Sequence, residues 1–194
     1  VAVATGRDPT CFVKMTDYQH IIDKYYPAGN PAREILLRHS RQVAEMALGI
    51  ARDCRLPLDE ADIEVAAMLH DIGIFMTNAP SIGCHGDAPY IAHGTLGAGL
   101  LRREGVDERM ARVAERHTGS GLTAQEIAVQ HLPLPPHDLL PETLLEKLIC
   151  YADKFFSKGG DMTQKPFDTV RSSLARHGAA TLARFDALAA LFRW

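Results

Sequence analysis

The chain has 194 residues, which is enough for one domain with a substantial core. Hydrophobic residues make up 46% of it and charged residues 23%, as is typical of a soluble globular protein. The net charge of −3 disfavours a broad nucleic-acid interface, and no run reaches the roughly 20 apolar residues of a membrane-spanning helix. We therefore expect neither nucleic acid nor a membrane as a partner.

The cysteines indicate a reducing environment. None of the four belongs to a C-x-x-C pair, and no signal-peptide pattern precedes them. They are predicted to be free thiols of a cytoplasmic protein: Cys11, Cys54, Cys84 and Cys150. Residues 1–15 are predicted to be an N-terminal extension, flexible or non-native, in front of a domain over residues 16–194.

Capping signals predict the first two helices. Thr16 and Gln19 resemble a capping box that opens a short helix over "DYQHIIDKYY". Asn30 and Pro31 are a favourable N-cap and first-turn pair for a long helix that runs to about Cys54. Apolar residues recur in it at intervals of three and four, so one face of this helix is expected to be buried.

The third helix carries the most informative dipeptide of the chain. Asp59 is its predicted N-cap, "DIEVAAMLHD" is largely apolar, and Gly73 marks its end. This prediction places His70 and Asp71 in the last turn of a central helix. Residues 74–91 follow as a long irregular stretch, which is a natural lid or substrate-binding segment.

The second half of the chain is also helical by pattern. His93 opens a helix that runs to about Arg103, and a further helix runs from Asp107 to near His117. Later, "TAQE" forms a second capping-box match. No alternating pattern predicts a strand, so we expect an all-α fold.

Three further helices are predicted towards the C-terminus. Pro141 begins the helix "PETLLEKLICYADKFF", and residues 168–194 form two helices that are separated at Gly178. The last one, "TLARFDALAALFRW", is strongly apolar. It either packs on its own domain or forms a homodimer with a second subunit.

Six side chains of the kind that transition metals prefer occur at helices or helix ends. Two of them, Asp71 and Asp153, lie in apolar helices, where an unpaired buried carboxylate is costly and a bound cation removes that cost. The sequence therefore predicts a metal site formed by His39, His70, Asp71, His93, His117 and Asp153.

With "HDIG" at residues 70–73 and this order of ligands, the chain resembles the HD-domain superfamily of metal-dependent phosphohydrolases over about residues 31–158. The resemblance implies a single HD-domain helical bundle whose core metal site is formed by His39, His70, Asp71 and Asp153. It also implies that His93 and His117 hold a second metal, with Asp71 bridging the two. The implied cofactors are two divalent transition-metal ions: Fe, Mn, Ni, Co or Zn.

Shorter segments refine the resemblance. "HGTLGAGLL", "ERHTG" and "LLEKLICYADKF" are similar to HD enzymes that cleave diadenosine tetraphosphate symmetrically. The chain resembles still more closely an uncharacterised HDIG subgroup with "ERH-x-G-x-GLT" and "PETL-x-EK". Cyclic-di-GMP phosphodiesterases carry a Lys after "HDIG" and a later GYP signature, whereas this chain has Ile74 and "TGSGLTA" at residues 118–124. Hydrolysis of cyclic-di-GMP is therefore disfavoured.

The ligand set indicates a hydrolytic reaction. Two cations lower the pKa of a bridging water from about 15.7 towards neutrality, and the hydroxide then attacks phosphorus. Asp71 and His70 are the predicted catalytic residues, with Asp71 orienting that hydroxide. The expected substrate is a small phosphorylated molecule, a nucleotide in particular. Diadenosine polyphosphates, nucleoside monophosphates and cyclic nucleotides remain open, because specificity is expected to lie in the loops 74–91 and 118–140.

Several polar residues near the ligands are candidates for contacting the substrate. For the basic ones a solvated helix face is the alternative role, and Lys154 points about 100° away from Asp153 around a helix. For the hydroxyl groups the alternative is hydrogen bonding at a helix end. The candidates are Arg33, Arg38, Ser40, His85, Arg116, Thr118, Lys147 and Lys154.

Two other functional classes remain open. Some di-iron proteins of the HD fold activate oxygen with nearly the same ligands, so a di-iron oxygenase is one alternative. A non-enzymatic, metal-bound sensor is the other, although a complete ligand set argues against it.

Overall fold

Nine α-helices and one short hairpin make up residues 16–192, the part of the chain that the computed structural model describes. The predicted extension at residues 1–15, with Cys11, and the predicted helix end at Trp194 lie outside the described residues. The predicted all-α class is confirmed. The helices are α1 (Tyr18–Tyr25), α2 (Pro31–Asp53), α3 (Glu60–Leu69), α4 (His93–Arg103), α5 (Glu108–Arg116), α6 (Ala124–Val129), α7 (Leu144–Asp153), α8 (Phe167–Ala175) and α9 (Ala179–Phe192).

Most helices begin where a side chain satisfies free backbone N–H groups. Asn30, Asp59 and Asp107 each accept a hydrogen bond from the first turn of the helix that they precede, as predicted. The first helix differs from the prediction. Asp17, and not Thr16, accepts the hydrogen bond from His20 N, because its carboxylate lies one residue closer to the first turn.

The α7 helix is shorter than predicted at both ends. It begins at Leu144, after a capping box in which Thr143 accepts from Glu146 N and the Glu146 carboxylate accepts from the backbone of Thr143. This cap fixes the start three residues after Pro141. The helix ends at Asp153, and Lys154 is its C-cap. The residues that follow therefore leave the helical path sooner than the apolar pattern predicted.

The centre of the molecule is the packing of α3 against α2. Every residue of α3 from Val65 to Leu69 is buried, which confirms that this apolar helix is central. The predicted stripe of α2 faces it, with Val43, Ala47 and Ile50 buried. Burial of a side chain as large as that of Val43 or Ile50 stabilises the fold by about 1.5–3 kcal/mol.

The last helix covers this core from the side of α7. Phe185 and Phe192 of α9 are fully buried, and their ring centroids lie 5.3 Å and 5.4 Å from that of Tyr151. The apolar face of α9 therefore packs on its own domain, and a homodimer stays a prediction.

Gly73 lies where the chain after α3 passes against the backbone of α4. A Cβ atom at this position would be 2.2 Å from His93 O and 2.5 Å from Gly97 N. Gly73 was expected to end α3 as a terminator, but the helix ends four residues earlier and Gly73 has an ordinary φ of −85°. The close approach of two backbones is what requires glycine here.

Residues 74–91 are more regular than predicted. They contain three short 3-10 turns and an antiparallel hairpin of β1 (Asn78–Ala79) and β2 (Cys84–His85). Two-residue strands are too short to show an alternating pattern, so they could not be predicted from the sequence. Ile82 is buried while His85 is exposed, so the segment packs on the domain through one side. Its action as a lid stays a prediction.

The described cysteines are free, as predicted: Cys84 and Cys150 are buried and Cys54 is half-buried. None of the helices in residues 16–192 combines the length and apolar composition needed to cross a membrane.

Candidate metal centre

Five helices bring all six predicted ligands to one place, and all six are buried. Their ligand atoms form two groups, in each of which the atoms lie within 4.8 Å of one another. Asp71 belongs to both. The first group is His39, His70, Asp71 and Asp153, and the second is Asp71, His93 and His117.

In the first group, two imidazoles face two carboxylates. His39 Nε2 lies 2.9 Å from Asp153 Oδ1 and 3.1 Å from Asp71 Oδ2. His70 Nε2 lies 3.1 Å from Asp71 Oδ2 and 3.5 Å from Asp153 Oδ1. Two nitrogen and two carboxylate donors converging on one point suit a divalent transition metal.

In the second group, two imidazole nitrogens face the other oxygen of the same carboxylate. His93 Nε2 and His117 Nε2 each lie 3.4 Å from Asp71 Oδ1, and they lie 3.0 Å from each other. The two oxygens of Asp71 therefore point to different groups. This is the arrangement that a carboxylate needs in order to bridge two cations.

Backbone carbonyls fix the orientation and the protonation of three of the histidines. In each, Nδ1 lies within hydrogen-bond distance of the carbonyl oxygen three residues earlier: 2.6 Å for His70, 2.7 Å for His93 and 2.8 Å for His117. A carbonyl oxygen only accepts, so Nδ1 carries the proton. The neutral ring then presents a lone pair on Nε2 towards Asp71, as a metal-binding histidine does.

The same atoms are poorly satisfied by the protein alone. Asp71 Oδ1 is buried and accepts no hydrogen bond from any described residue. The lone pairs on His93 Nε2 and His117 Nε2 face each other across 3.0 Å. A cation at this point satisfies all three atoms at once, so the residues fit a dinuclear metal site.

Charges within the cluster shift the pKa values of its members. Burial by itself raises the pKa of Asp71, but His70 and Lys158 outweigh it and hold that pKa well below its ordinary value. Burial lowers the pKa of His93 to about 3, so this imidazole is neutral. For His70, burial is outweighed by Asp71 and Asp153, which raise its pKa to about 9. A bound cation takes the place of that proton, because metal ligands must be deprotonated.

Lys158 contacts the centre and was missed in the sequence. Its Nζ lies 2.6 Å from Asp71 Oδ2 and 5.9 Å from the centre of the Tyr90 ring, and its side chain is only 12% exposed. Burial opposes its charge, but the carboxylate of Asp71 outweighs that effect and raises the pKa of Lys158. Lys158 follows the end of α7 by five residues, so helical spacing from Asp153 did not locate it.

Lys154 also lies at the centre. Its Nζ is 2.6 Å from Asp153 Oδ2 and donates a hydrogen bond to His117 O at 2.9 Å. The Lys154 side chain is only 11% exposed, so it does not lie on a solvated face, and its contact with the substrate stays a prediction. Lys154 keeps helical backbone angles as the C-cap of α7, so it is the length of its side chain that lets Nζ reach back to the carboxylate of Asp153.

A cavity of about 450 Å³ opens beside the metal ligands. Asp153, Lys154 and Lys158 line it, together with residues of α8 and α9. The sequence placed specificity only in loops. The structure adds the two C-terminal helices, which reach the site by packing and not by proximity in sequence.

Among the predicted substrate-contacting residues, Thr118 and Lys154 line this cavity. The described contacts of three arginines lie elsewhere: Arg33 pairs with Asp23, Arg38 donates to Asp161 O, and Arg116 pairs with Glu142. Three further candidates do not line its walls: Ser40, which is buried, His85, which is exposed, and Lys147, which is half-buried.

The chain is similar to known proteins in sequence. A family model described as the HD domain matches residues 36–157. An uncharacterised protein of Methanocaldococcus jannaschii is 40% identical over 127 residues, which are 64% of this chain and 68% of that protein.

Two tRNA (cytidine(56)-2'-O)-methyltransferases also match. The enzyme of Picrophilus torridus is 37% identical over 126 residues, covering 65% of this chain and 33% of the enzyme. The enzyme of Thermoplasma volcanium is 34% identical over 141 residues, covering 73% of this chain and 37% of the enzyme. The chain thus spans about a third of the length of these methyltransferases.

The fold is also found in a solved structure. The HD domain of the L. monocytogenes phosphodiesterase PgpH superimposes with a TM-score of 0.52 at 14% identity, covering 91% of this chain and 97% of that one. The structure of the same domain in complex with cyclic-di-AMP also superimposes with a TM-score of 0.52. It has 14% identity, and the superposition covers 91% of this chain and 95% of that one. At this level of identity the similarity establishes the fold.

Proposed function

The chain belongs to the HD domain family, and we propose that it is a dinuclear metal-dependent phosphohydrolase acting on a small phosphate ester or anhydride, in particular a nucleotide. One observation carries the proposal. Two groups of buried ligand atoms share Asp71, and the Nε2 lone pairs of three histidines point into them. The phosphodiesterase whose HD domain shares this fold, and which binds cyclic-di-AMP, supports a phosphorylated substrate.

Each part of the centre has a task in this reaction. Divalent cations, when bound, supply an activated water and neutralise charge on the phosphoryl oxygens. Asp71 presents one oxygen to each group and would be a ligand of both cations. The carbonyls of Ala67, Tyr90 and Ala114 keep the imidazoles in the tautomer that the reaction requires.

The substrate reaches the centre through the cavity. Lys154 and Lys158 place two ammonium groups between the metal ligands and the open space. These groups stabilise the negative charge that gathers on the phosphoryl oxygens in the transition state.

The experiment is metal analysis followed by assays on metal-replete protein. We expect about two equivalents of Fe, Mn, Ni, Co or Zn and hydrolysis of p-nitrophenyl phosphate or bis-p-nitrophenyl phosphate. Asp71→Ala removes the shared ligand and is expected to abolish both metal binding and activity. Asp53→Ala, at an exposed carboxylate near the end of α2, is the matched control.

The competing functions predict different results. The proposed phosphohydrolase activity is refuted if the purified protein holds less than about half an equivalent of metal and hydrolyses no substrate after metals are added. Substrate-dependent oxygen uptake without phosphate release indicates a di-iron oxygenase. Metal binding with neither reaction on a broad substrate panel indicates a sensor.

A further inference from the structure

Lys165 is a cation without an assigned anion in the cavity beside the metal centre. It precedes α8, it is half-buried, and its side chain lines the cavity. Within residues 16–192 its ammonium group makes no hydrogen bond or ion pair, whereas Lys154 and Lys158 are paired with Asp153 and Asp71. Burial lowers the pKa of Lys165. Partial burial disfavours the charge of this ammonium group, and an anion bound beside it would offset that effect.

Three ammonium groups, those of Lys154, Lys158 and Lys165, therefore lie near two carboxylates, those of Asp71 and Asp153. Lys165 is close enough to Asp153, Lys154 and Lys158 to interact with all three electrostatically. The excess positive charge favours a ligand with more than one negative charge. A phosphate monoester carries about −1.5 to −2 at neutral pH, whereas each phosphate of a diester carries only about one negative charge.

The rest of the cavity lining has a different chemistry. It includes apolar side chains from the segment before α4, from the loops after α5 and α6 and from α8: Ile91, Leu122, Leu132, Val170 and Leu174. Polar groups occur between them, among them Ser173 and His177. An apolar wall with a few hydrogen-bonding groups suits a flat organic group such as a nucleobase.

The volume limits how large that organic group can be. About 450 Å³ lies in the lower part of the range of small-molecule sites, which is roughly 300–1,000 Å³. This space suits one nucleoside unit with its phosphate. A dinucleotide has to place its second nucleoside outside the cavity, where the apolar wall does not contact it.

We propose that the cavity selects a phosphate monoester whose organic group has the size of one nucleoside, and that Lys165 binds its terminal phosphate. This inference rests on the proposed phosphohydrolase. It places the phosphate against Lys165 and the metal ligands, and the organic group against α8. Cyclic dinucleotides and diadenosine polyphosphates are then poor substrates of this chain.

The test compares AMP with cyclic-di-AMP and diadenosine tetraphosphate on metal-replete protein. We expect kcat/KM for AMP to exceed those for the other two by at least about 10-fold, since only AMP brings a dianionic phosphate into a cavity of its size. Lys165→Met is expected to lower kcat/KM for AMP by about 10- to 100-fold, mainly through KM. Lys24→Met removes an ammonium group from an exposed ion pair with Glu104 and is the matched control.

Two further measurements separate this inference from the proposed function. Calorimetric titration of AMP and of adenosine into metal-free protein tests Lys165 without catalysis; Lys165→Met should weaken AMP binding and leave adenosine binding unchanged. Ser173→Trp fills the part of the cavity beside α8 and should reduce kcat/KM for AMP by at least about 10-fold more than for p-nitrophenyl phosphate.

Each outcome decides one of the two proposals. The monoester inference is overturned if either dinucleotide is the preferred substrate. It is also overturned if Lys165→Met changes neither the binding nor the hydrolysis of AMP. In both cases the proposed phosphohydrolase activity remains supported. If no phosphate ester is hydrolysed, the proposed function fails, and the calorimetric comparison still decides whether Lys165 binds a phosphate.

Discussion

Replacing His117 by alanine tests whether the centre holds two separable metals. The substitution removes one of the three residues of the second group and leaves the four residues of the first group in place. We therefore expect the purified protein to fall from two bound metal equivalents to one. Phosphohydrolase activity should fall with it, because Asp71 then has a cation on one of its oxygens only.

The size of the effect follows from the contacts of His117. Removing a residue that hydrogen-bonds to a metal ligand typically lowers the affinity for the metal by about 10- to 100-fold. Removing a ligand itself should therefore weaken metal binding at the second group by more than about 100-fold. That factor corresponds to about 2.7 kcal/mol. The metal-free protein should also lose about 1–3 kcal/mol, since the buried Ala114 carbonyl loses its donor.

The assay is calorimetric titration of the metal-free protein with Mn²⁺, together with metal analysis after dialysis. His137→Ala, at an exposed histidine, serves as the control and should keep both sites. Two equivalents bound to the His117 variant at the affinity of the unchanged protein would refute the second site. Loss of both metals would show that the two groups are not independent.

Two predictions concern the fold that holds the centre. Gly73→Ala places a Cβ 2.2 Å from a carbonyl oxygen of α4, so thermal denaturation should show a loss of at least about 1–3 kcal/mol; Gly49→Ala, with open space around it, should be neutral or stabilising. Burial raises the pKa of Glu146, but the ion pair with Arg112 at 2.8 Å outweighs it and lowers that pKa. The stabilisation that this ion pair contributes is present above the pKa of Glu146 in the unfolded chain, about 4.3. It is lost as the pH falls through the lower pKa of Glu146 in the folded protein. Chemical denaturation from pH 7 to pH 3 should therefore show a smaller loss for Glu146→Gln than for the unchanged protein, and an unaltered slope would contradict the pairing; Glu45→Gln, at an exposed carboxylate of α2, is the control.

Local chemistry explains why much of this fold was predictable. Helix starts at Asn30, Asp59 and Asp107 depend on a side chain and the N–H groups of the next turn, and these lie within a few residues of one another. Where two capping residues compete, as Thr16 and Asp17 do, sequence did not decide between them. The helix end at Asp153 was also missed, because apolar residues continue into the following turn.

Sequence by itself determined the all-α class and the six candidate ligands, because apolar periodicity, capping residues and the cost of burying a carboxylate are local properties of the chain. Only the tertiary structure decided how these ligands are divided. The two oxygens of Asp71 point to different groups because α4 and α5 bring His93 and His117 to one side of it. Only the tertiary structure, too, placed Lys158 and Lys165 beside the centre, since their positions depend on how the chain turns after α7 and not on any helical repeat.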